Sequence, residues 1–230
     1  MRHLVIGDIH GCARSFDALL AAVSPRTDDL VVTLGDYVNR GPDSSGVMDR
    51  LLRLHRTGRL VALLGNHEQM MLEAREGPEK LARFLEVGGD RTLASYSVLG
   101  DEGRLADVPD AHWEFLERAC RDWYETDTHF FVHANAYPDF ALPEQPTYML
   151  RWEKFDAPGP HESGKVMVCG HTSQKTGNPR NLGHAICIDT YAHGGGWLTC
   201  LDPGTGRLWQ ANERGEHRQG WVSDYLESEP

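Results

Sequence analysis

Residues 3–11, HLVIGDIHG, open the chain with a short apolar run that breaks at once into glycine, aspartate, histidine and glycine. The same order returns in LVVTLGDYVNRG (30–41), LVALLGNHE (60–68), HFFVHAN (129–135), KVMVCGHT (165–172) and HAICIDT (184–190). Short runs rich in Val, Ile, Leu and Phe read as buried strands. Each of these runs ends in a tight loop carrying Asp, Asn or His. In open α/β sheets the ligand site lies beyond the carboxyl ends of the strands. Loops from separate strands are therefore expected to meet at one place.

Helical patterns separate the early strands. Phe16, Leu19, Leu20 and Val23 repeat at helical spacing behind Ser15, read as the N-cap. Val47, Met48, Leu51, Leu52 and Leu54 form a second apolar face, closed by Gly58 as C-cap. A third helix is expected from Glu68 to Glu76. Residues 77–124 show no clear strand and read as a helical insertion, with Leu81, Phe84 and Leu85 on one face and Trp113, Phe115 and Leu116 on another. The GGDRT stretch breaks this insertion, which is expected to pack beside the site. After Asp189, GGGWLTCLD and GTGRLWQA read as a turn and a hairpin. The polar tail from Glu213 is expected to be loosely ordered. The pattern predicts an α/β fold in a single domain over residues 1–230, with no internal repeat.

The net charge of −11 argues against a general nucleic-acid binder, which needs a basic face. It leaves room for a small phosphorylated substrate, because bound cations would reverse the local field. The five cysteines, Cys12, Cys120, Cys169, Cys187 and Cys200, form no C-x-x-C pair and read as reduced thiols. No apolar run reaches the roughly 18 residues of a membrane span. The N-terminus shows no secretory signal pattern, so the cytoplasm is the expected location and no membrane partner is expected.

Asp8 and His10 flank Ile9, and in extended backbone residues two apart point to the same side. One carboxylate and one imidazole can thus reach a single cation. Asp36 carries two oxygens and can bridge two cations, as two-metal hydrolytic sites require. Arg40 offers a guanidinium fork suited to phosphate oxygens. Asn66 offers a neutral amide oxygen. His67 points the other way and can give a proton to a leaving alkoxide. His133 and His171 add two imidazoles just past apolar runs. His184 reads as an ordinary surface histidine, Cys12 as a small buried side chain, and Asp189 as a support behind the site.

The ordered set GDIHG, GDYVNRG, GNHE, VHA and GHT resembles the motif series of the PPP family of metallophosphoesterases, within the calcineurin-like superfamily. The stretches GNHEQMM, HANAYP, GHTSQKTG and CIDT are similar to those of small bacterial and phage Ser/Thr protein phosphatases in that family. The likeness spans most of the chain and fades through the insertion and the tail. It implies a β-sandwich of two mixed sheets flanked by helices. It also implies two divalent cations, manganese being expected and iron or zinc the alternatives. Asp8, His10 and Asp36 would hold one cation; Asp36, Asn66, His133 and His171 would hold the other. An activated water would be the nucleophile. Arg40 and a second arginine, for which Arg151 is the candidate, would clamp the phosphoryl group.

One position departs from the series. The family's GDxxDRG carries an aspartate that orients the acid histidine, and here Asn39 stands there. An amide can hold the ring of His67, but it cannot stabilise an imidazolium as a carboxylate does. Related bacterial diadenosine tetraphosphate hydrolases also lack that aspartate. The leading expectation is a Ser/Thr protein phosphatase acting on a phosphoprotein or phosphopeptide. A dinucleoside polyphosphate hydrolase is the alternative, and a metal-binding scaffold without catalysis is the third.

Overall fold

The computed structural model describes residues 1–97 and 102–227. The first part of the chain alternates strands and helices: β1 His3–Ile6, α1 Ala13–Val23, β2 Leu30–Thr33, α2 Ser44–Arg56, β3 Leu60–Ala62 and α3 Asn66–Glu73. Short helices α4 Pro78–Phe84, α5 Asp90–Ala94 and α6 Asp110–Glu114 follow. The second half contains β4 Trp123–Glu125, β5 His129–Val132, α7 Thr147–Trp152, β6 Val166–Cys169, β7 Arg180–Asn181 and β8 Ala185–Cys187. It ends with β9 Leu198–Asp202, β10 Arg207–Ala211 and β11 His217–Trp221. None of the described helices is long and apolar enough to cross a membrane. All five cysteines are free.

Two mixed sheets result, in the orders β11-β10-β9-β1-β2-β3 and β4-β5-β6-β8-β7. β1, β2 and β3 pair in parallel, as do β5, β6 and β8. Strand alternation sorts the side chains into layers. Val5 and Val32 from the first sheet meet Phe131, Val168 and Ile186 from the second in a buried cluster between the sheets. Leu4, Ile6 and Val31 face outward and pack with Phe16, Leu19, Val47 and Met48 of α1 and α2. Phe130, Val132 and Met167 face outward from the second sheet, against Leu142, Leu150 and Phe155. Parallel strands buried on both faces explain the near-continuous apolar runs. Their shared direction is also what gathers the loops carrying Asp8, Asp36, Asn66, His133 and His171.

Three local expectations are corrected. Helix α1 starts at Ala13, and Ser15 lies inside its first turn. Its N–H and hydroxyl both donate to Glu213 Oε1, at 2.9 and 3.0 Å. A carboxylate 198 residues away thus binds the helix start, and spacing in the sequence does not reveal it. Residues 77–124 are not strand-free: Trp123 and Tyr124 belong to edge strand β4, antiparallel to β5. The tail beyond Glu213 is not loose through its length, since β11 pairs residue by residue with β10.

The insertion breaks at Gly88, where φ is +97°. A side chain there would come within 2.7 Å of the Arg40 backbone nitrogen, so the insertion seats directly against the Arg40 loop. Residues 98–101 of the insertion lie outside the described residues.

Candidate metal centre and catalytic site

The loop after β1 is stitched to the loop after β2. The N–H groups of Ile9 and His10 donate to the Asp36 carbonyl at 3.0 and 2.7 Å, and Gly11 N–H donates to the Tyr37 carbonyl at 2.8 Å. Among the described residues, six of the eight non-glycine residues with positive φ are His10, Asp36, Asn39, Arg40, His171 and Tyr191. Strained backbone is retained where surrounding contacts over-determine it, and it concentrates at functional sites.

At Asp36 and the two residues after it, Glu68 supplies that restraint. Its Oε1 accepts the N–H groups of Tyr37 and Val38, at 2.7 and 3.1 Å. Its Oε2 accepts those of Asp36 and Gly65, at 2.8 and 3.1 Å. Burial and the nearby Asp36 push this carboxyl up to about 8, while the backbone donors pull the other way. Four N–H groups need acceptor lone pairs on both oxygens, so the geometry calls for the ionised form. A glutamine at 68 must turn its NH2 against two of those donors, whichever way it flips. Glu68→Gln is expected to lower unfolding stability by on the order of 3 kcal/mol and to cut activity through Asp36. Urea unfolding checks this, and a variant as stable as the parent would contradict it.

The Asp36 carboxylate faces two imidazoles in different directions. Its Oδ2 lies 3.3 Å from His10 Nε2, and its Oδ1 lies 3.4 Å from His133 Nε2. Asn66 Oδ1 is 3.0 Å from both His133 Nε2 and His171 Nδ1. Asp8 lies alongside, accepting the His171 backbone N–H at 2.9 and 3.2 Å.

The far ring nitrogens decide which of these atoms carry lone pairs. His10 Nδ1 faces the Val38 carbonyl at 2.9 Å, and His133 Nδ1 faces the Leu34 carbonyl at 2.8 Å. His171 Nε2 faces the Trp152 carbonyl at 3.0 Å. A carbonyl only accepts, so each of those nitrogens carries the proton. The opposite nitrogens, His10 Nε2, His133 Nε2 and His171 Nδ1, then point lone pairs inward. Asp36, Asn66 Oδ1 and these imidazole nitrogens thus converge as acceptors, the kind of set that a divalent cation takes as ligands. Burial pushes the Asp8 and Asp36 carboxyls upward, Asp36 to about 7, and Asp189 and Asp36 add to the effect on Asp8. Burial holds His133 and His171 down to about 3, which keeps them neutral and able to ligate. The donor set of carboxylate, amide oxygen and neutral imidazole fits divalent transition metals.

His67 differs from these three imidazoles in facing the cluster with a ring nitrogen that carries a proton. Its Nδ1 lies 2.9 Å from Asn39 Nδ2. Thr92 meets the oxygen end of that amide. The Thr92 hydroxyl accepts the Asn39 N–H at 2.8 Å and donates to Asn39 Oδ1 at 2.8 Å. The Asn39 NH2 therefore donates to His67 Nδ1, and the ring proton sits on Nε2. His67 Nε2 is 3.9 Å from Asp36 Oδ2 and lies within a possible ligand group with His10 and Asp36. A nitrogen that carries a proton has no lone pair for a cation, so His67 faces the centre as a donor. Burial, then Arg40, hold its pKa down to about 2.

Arg40 Nη1 donates to His10 Nε2 at 2.9 Å and to His193 Nε2 at 3.2 Å. Asp8, His10, Asp36, Asn39, Arg40, Asn66, His67, His133 and His171 are thus brought together. Arg151 lies close enough to His133 to lower its pKa, with its guanidinium paired: its Nε and Nη2 bond to Asp122 Oδ1 at 2.9 and 2.5 Å, and its Nη1 reaches Gln69 Oε1 at 3.3 Å. His184 stands apart, bonded to the Pro158 carbonyl. Asp189 supports from behind, accepting Ser173 Oγ at 2.6 Å and the Tyr191 N–H at 3.1 Å. Sequence reasoning passed over Glu68, Thr92 and His193. Glu68 in GNHE was the most findable, being a carboxylate at the third position of a helix beside a glycine-rich loop.

The calcineurin-like phosphoesterase family model matches residues 1–176. Serine/threonine-protein phosphatase 1 of Salmonella typhimurium is 38% identical over 145 residues, which are 60% of this chain and 60% of its own length. A symmetrical bis(5'-nucleosyl)-tetraphosphatase of Acidovorax is 46% identical over 80 residues, 34% of this chain and 27% of its own length. The chain therefore spans less than two thirds of either relative. A cold-active protein-tyrosine phosphatase of a psychrophilic Shewanella shares the fold, with a TM-score of 0.67 at 17% identity over 95% of this chain and 80% of that one. The family match runs through every loop that carries the clustered side chains from Asp8 to His171, and the chain belongs to the calcineurin-like phosphoesterases, a family of phosphoric-ester hydrolases.

Proposed function

We propose that Asp8, His10 and Asp36 hold one divalent cation and that Asp36, Asn66, His133 and His171 hold a second, for hydrolysis of phosphate esters. The observation that carries this reading is the Asp36 carboxylate, whose two oxygens are divided between His10 and His133 at 3.3 and 3.4 Å. Two cations bound there supply the charge that acidifies a water and offsets the phosphate. A manganese pair suits this mixed nitrogen and oxygen set, with iron or zinc as alternatives. Arg40 grips non-bridging phosphoryl oxygens through its fork. His67 presents its Nε2–H to the leaving oxygen. Arg151, held by Asp122, joins the clamp only by leaving that pair. Free thiols at all five cysteines fit a reducing compartment, and we place the enzyme in the cytoplasm.

The substrate read first is a phosphoprotein carrying phosphoserine or phosphothreonine. The alignment with the Salmonella phosphatase supports this, because it extends over 60% of the chain. The Asn39–His67 contact favours a second reading, cleavage of a dinucleoside polyphosphate. An amide donating to Nδ1 does nothing to stabilise an imidazolium, so proton donation is weak. A phosphoanhydride, whose leaving group is already a good one, tolerates that better than a serine ester. Turnover of a phosphoserine peptide and of diadenosine tetraphosphate by the manganese-loaded protein distinguishes the two. Faster turnover of the peptide supports the first reading; faster turnover of the dinucleotide supports the second.

Asn39→Asp provides a sharper check on His67. A carboxylate at 39 keeps one oxygen on Thr92 and turns the other to Nδ1, which must then carry a proton. The charged ring is favoured, and Nε2–H becomes a stronger acid. Phosphoserine peptides should gain by on the order of tenfold, while p-nitrophenyl phosphate should gain little. Equal gains on both substrates would mean that His67 is not the proton donor.

A further inference from the structure

The loop Tyr191–Trp197 between β8 and β9 carries a histidine that sequence reasoning passed over. The three consecutive glycines, Gly194 to Gly196, had marked it as a turn. Tyr191 opens it with φ +65° and ψ +41°, a conformation that a tyrosine holds only when its neighbours fix it. Asp189 Oδ1 accepts its N–H, and its ring stacks edge-on to His193 with centroids 4.8 Å apart. A side chain on Gly194 would come within 2.0 Å of the Tyr191 ring, so the glycine is what leaves room for this ring. At the loop tip the His193 ring packs edge-on against His10 at 4.9 Å, and its Nε2 receives Arg40 Nη1 at 3.2 Å.

Arg40 Nη1 has two imidazole acceptors, His10 Nε2 and His193 Nε2. In the proposed metal centre the His10 lone pair goes to a cation and is no longer free to accept from Arg40. The His193 lone pair is outside the ligand set and stays available. We infer that His193 is a positioning residue, whose Nε2 holds the Arg40 guanidinium at the phosphoryl site when His10 is engaged by metal. This inference rests on the reading of Arg40 as the phosphate clamp. The Arg40 backbone does not fix the guanidinium by itself, since four side-chain torsions lie between the backbone and the fork. An anchor at the far end removes that freedom before substrate arrives, which is where preorganised binding gains affinity.

The test is a double-mutant cycle between His193 and Arg40 in the manganese-loaded protein. The readouts are metal content, calorimetric binding of inorganic phosphate, and kcat/KM on p-nitrophenyl phosphate. His193→Ala is expected to retain the parent's metal content. It should weaken phosphate binding and lower kcat/KM by on the order of tenfold, the lower range for a residue that orients another functional group. In the Arg40→Ala background the same change should alter either quantity by less than about twofold, the scatter of independent sites. His193→Gln, whose side-chain oxygen can accept from Arg40, should recover part of the loss. Equal losses in both backgrounds, or loss of metal on His193→Ala, would overturn the inference. So would unchanged phosphate binding in His193→Ala beside a large loss in Arg40→Ala. If Arg40→Ala alone leaves phosphate binding and turnover intact, it is the reading of Arg40 that fails.

Discussion

Asp36→Ala is expected to lower metal content at both sites and to reduce turnover by more than about 100-fold, beyond the range seen for residues that only support a ligand. The reason lies in how Asp36 is held. Its backbone N–H is bound by Glu68, its Oδ1 takes the His67 backbone N–H at 3.2 Å, and its two oxygens face opposite halves of the cluster. Removing one carboxylate therefore takes a negative ligand from both halves. The imidazoles and Asn66 that remain on the His133 side carry no charge to offset a dication. Metal analysis of the purified variant, compared with the parent after identical manganese loading, reads the effect. Two ions still bound per chain would refute the bridging role.

Arg40→Ala should separate chemistry from metal binding. Arg40 donates towards the cluster and is no part of its ligand set, so both ions should stay. Turnover should fall by roughly 10²- to 10³-fold, as when one preorganised donor to a developing negative charge is removed. Lysine at 40 should restore little, because a point charge cannot reproduce a two-pronged fork. Loss of manganese from Arg40→Ala would show that the guanidinium shapes the ligand loops as well. The insertion bears on the same residue. Arg91 Nη1 donates to the Arg40 carbonyl at 3.0 Å, and Thr92 ties down the Asn39 amide. Those contacts hold the backbone of the Arg40 loop from the insertion.

The parts of this architecture legible in the sequence are those with a local cause. Val5, Val32, Phe131 and Val168 are buried between two sheets, so their strands read as apolar runs, and a parallel strand must release its chain into a loop at its carboxyl end. A loop that turns sharply and carries Asp, Asn or His shows itself by its glycines. What stayed hidden depends on partners distant in the chain. Ser15 looked like a cap because nothing near it announces Glu213. β4 is three residues long and is defined by its pairing with β5. β11 shows the burial pattern of an edge strand, half exposed, and its composition matches that of a polar tail. Thr92 lies in a stretch whose glycines read only as a break, yet its hydroxyl sets the tautomer of His67 through Asn39. Motif order points to Arg151 as a second clamp, but nothing near it in the sequence announces that its guanidinium pairs with Asp122.

Manganese anomalous diffraction from crystals of the loaded protein tests the central claim most directly. Two peaks are expected, roughly 3.5–4 Å apart. Asp36 should contact both, His10 Nε2 one, and His133 Nε2 with His171 Nδ1 the other, at about 2.0–2.3 Å. A single peak, or a peak coordinated by His67 Nε2, would contradict the account.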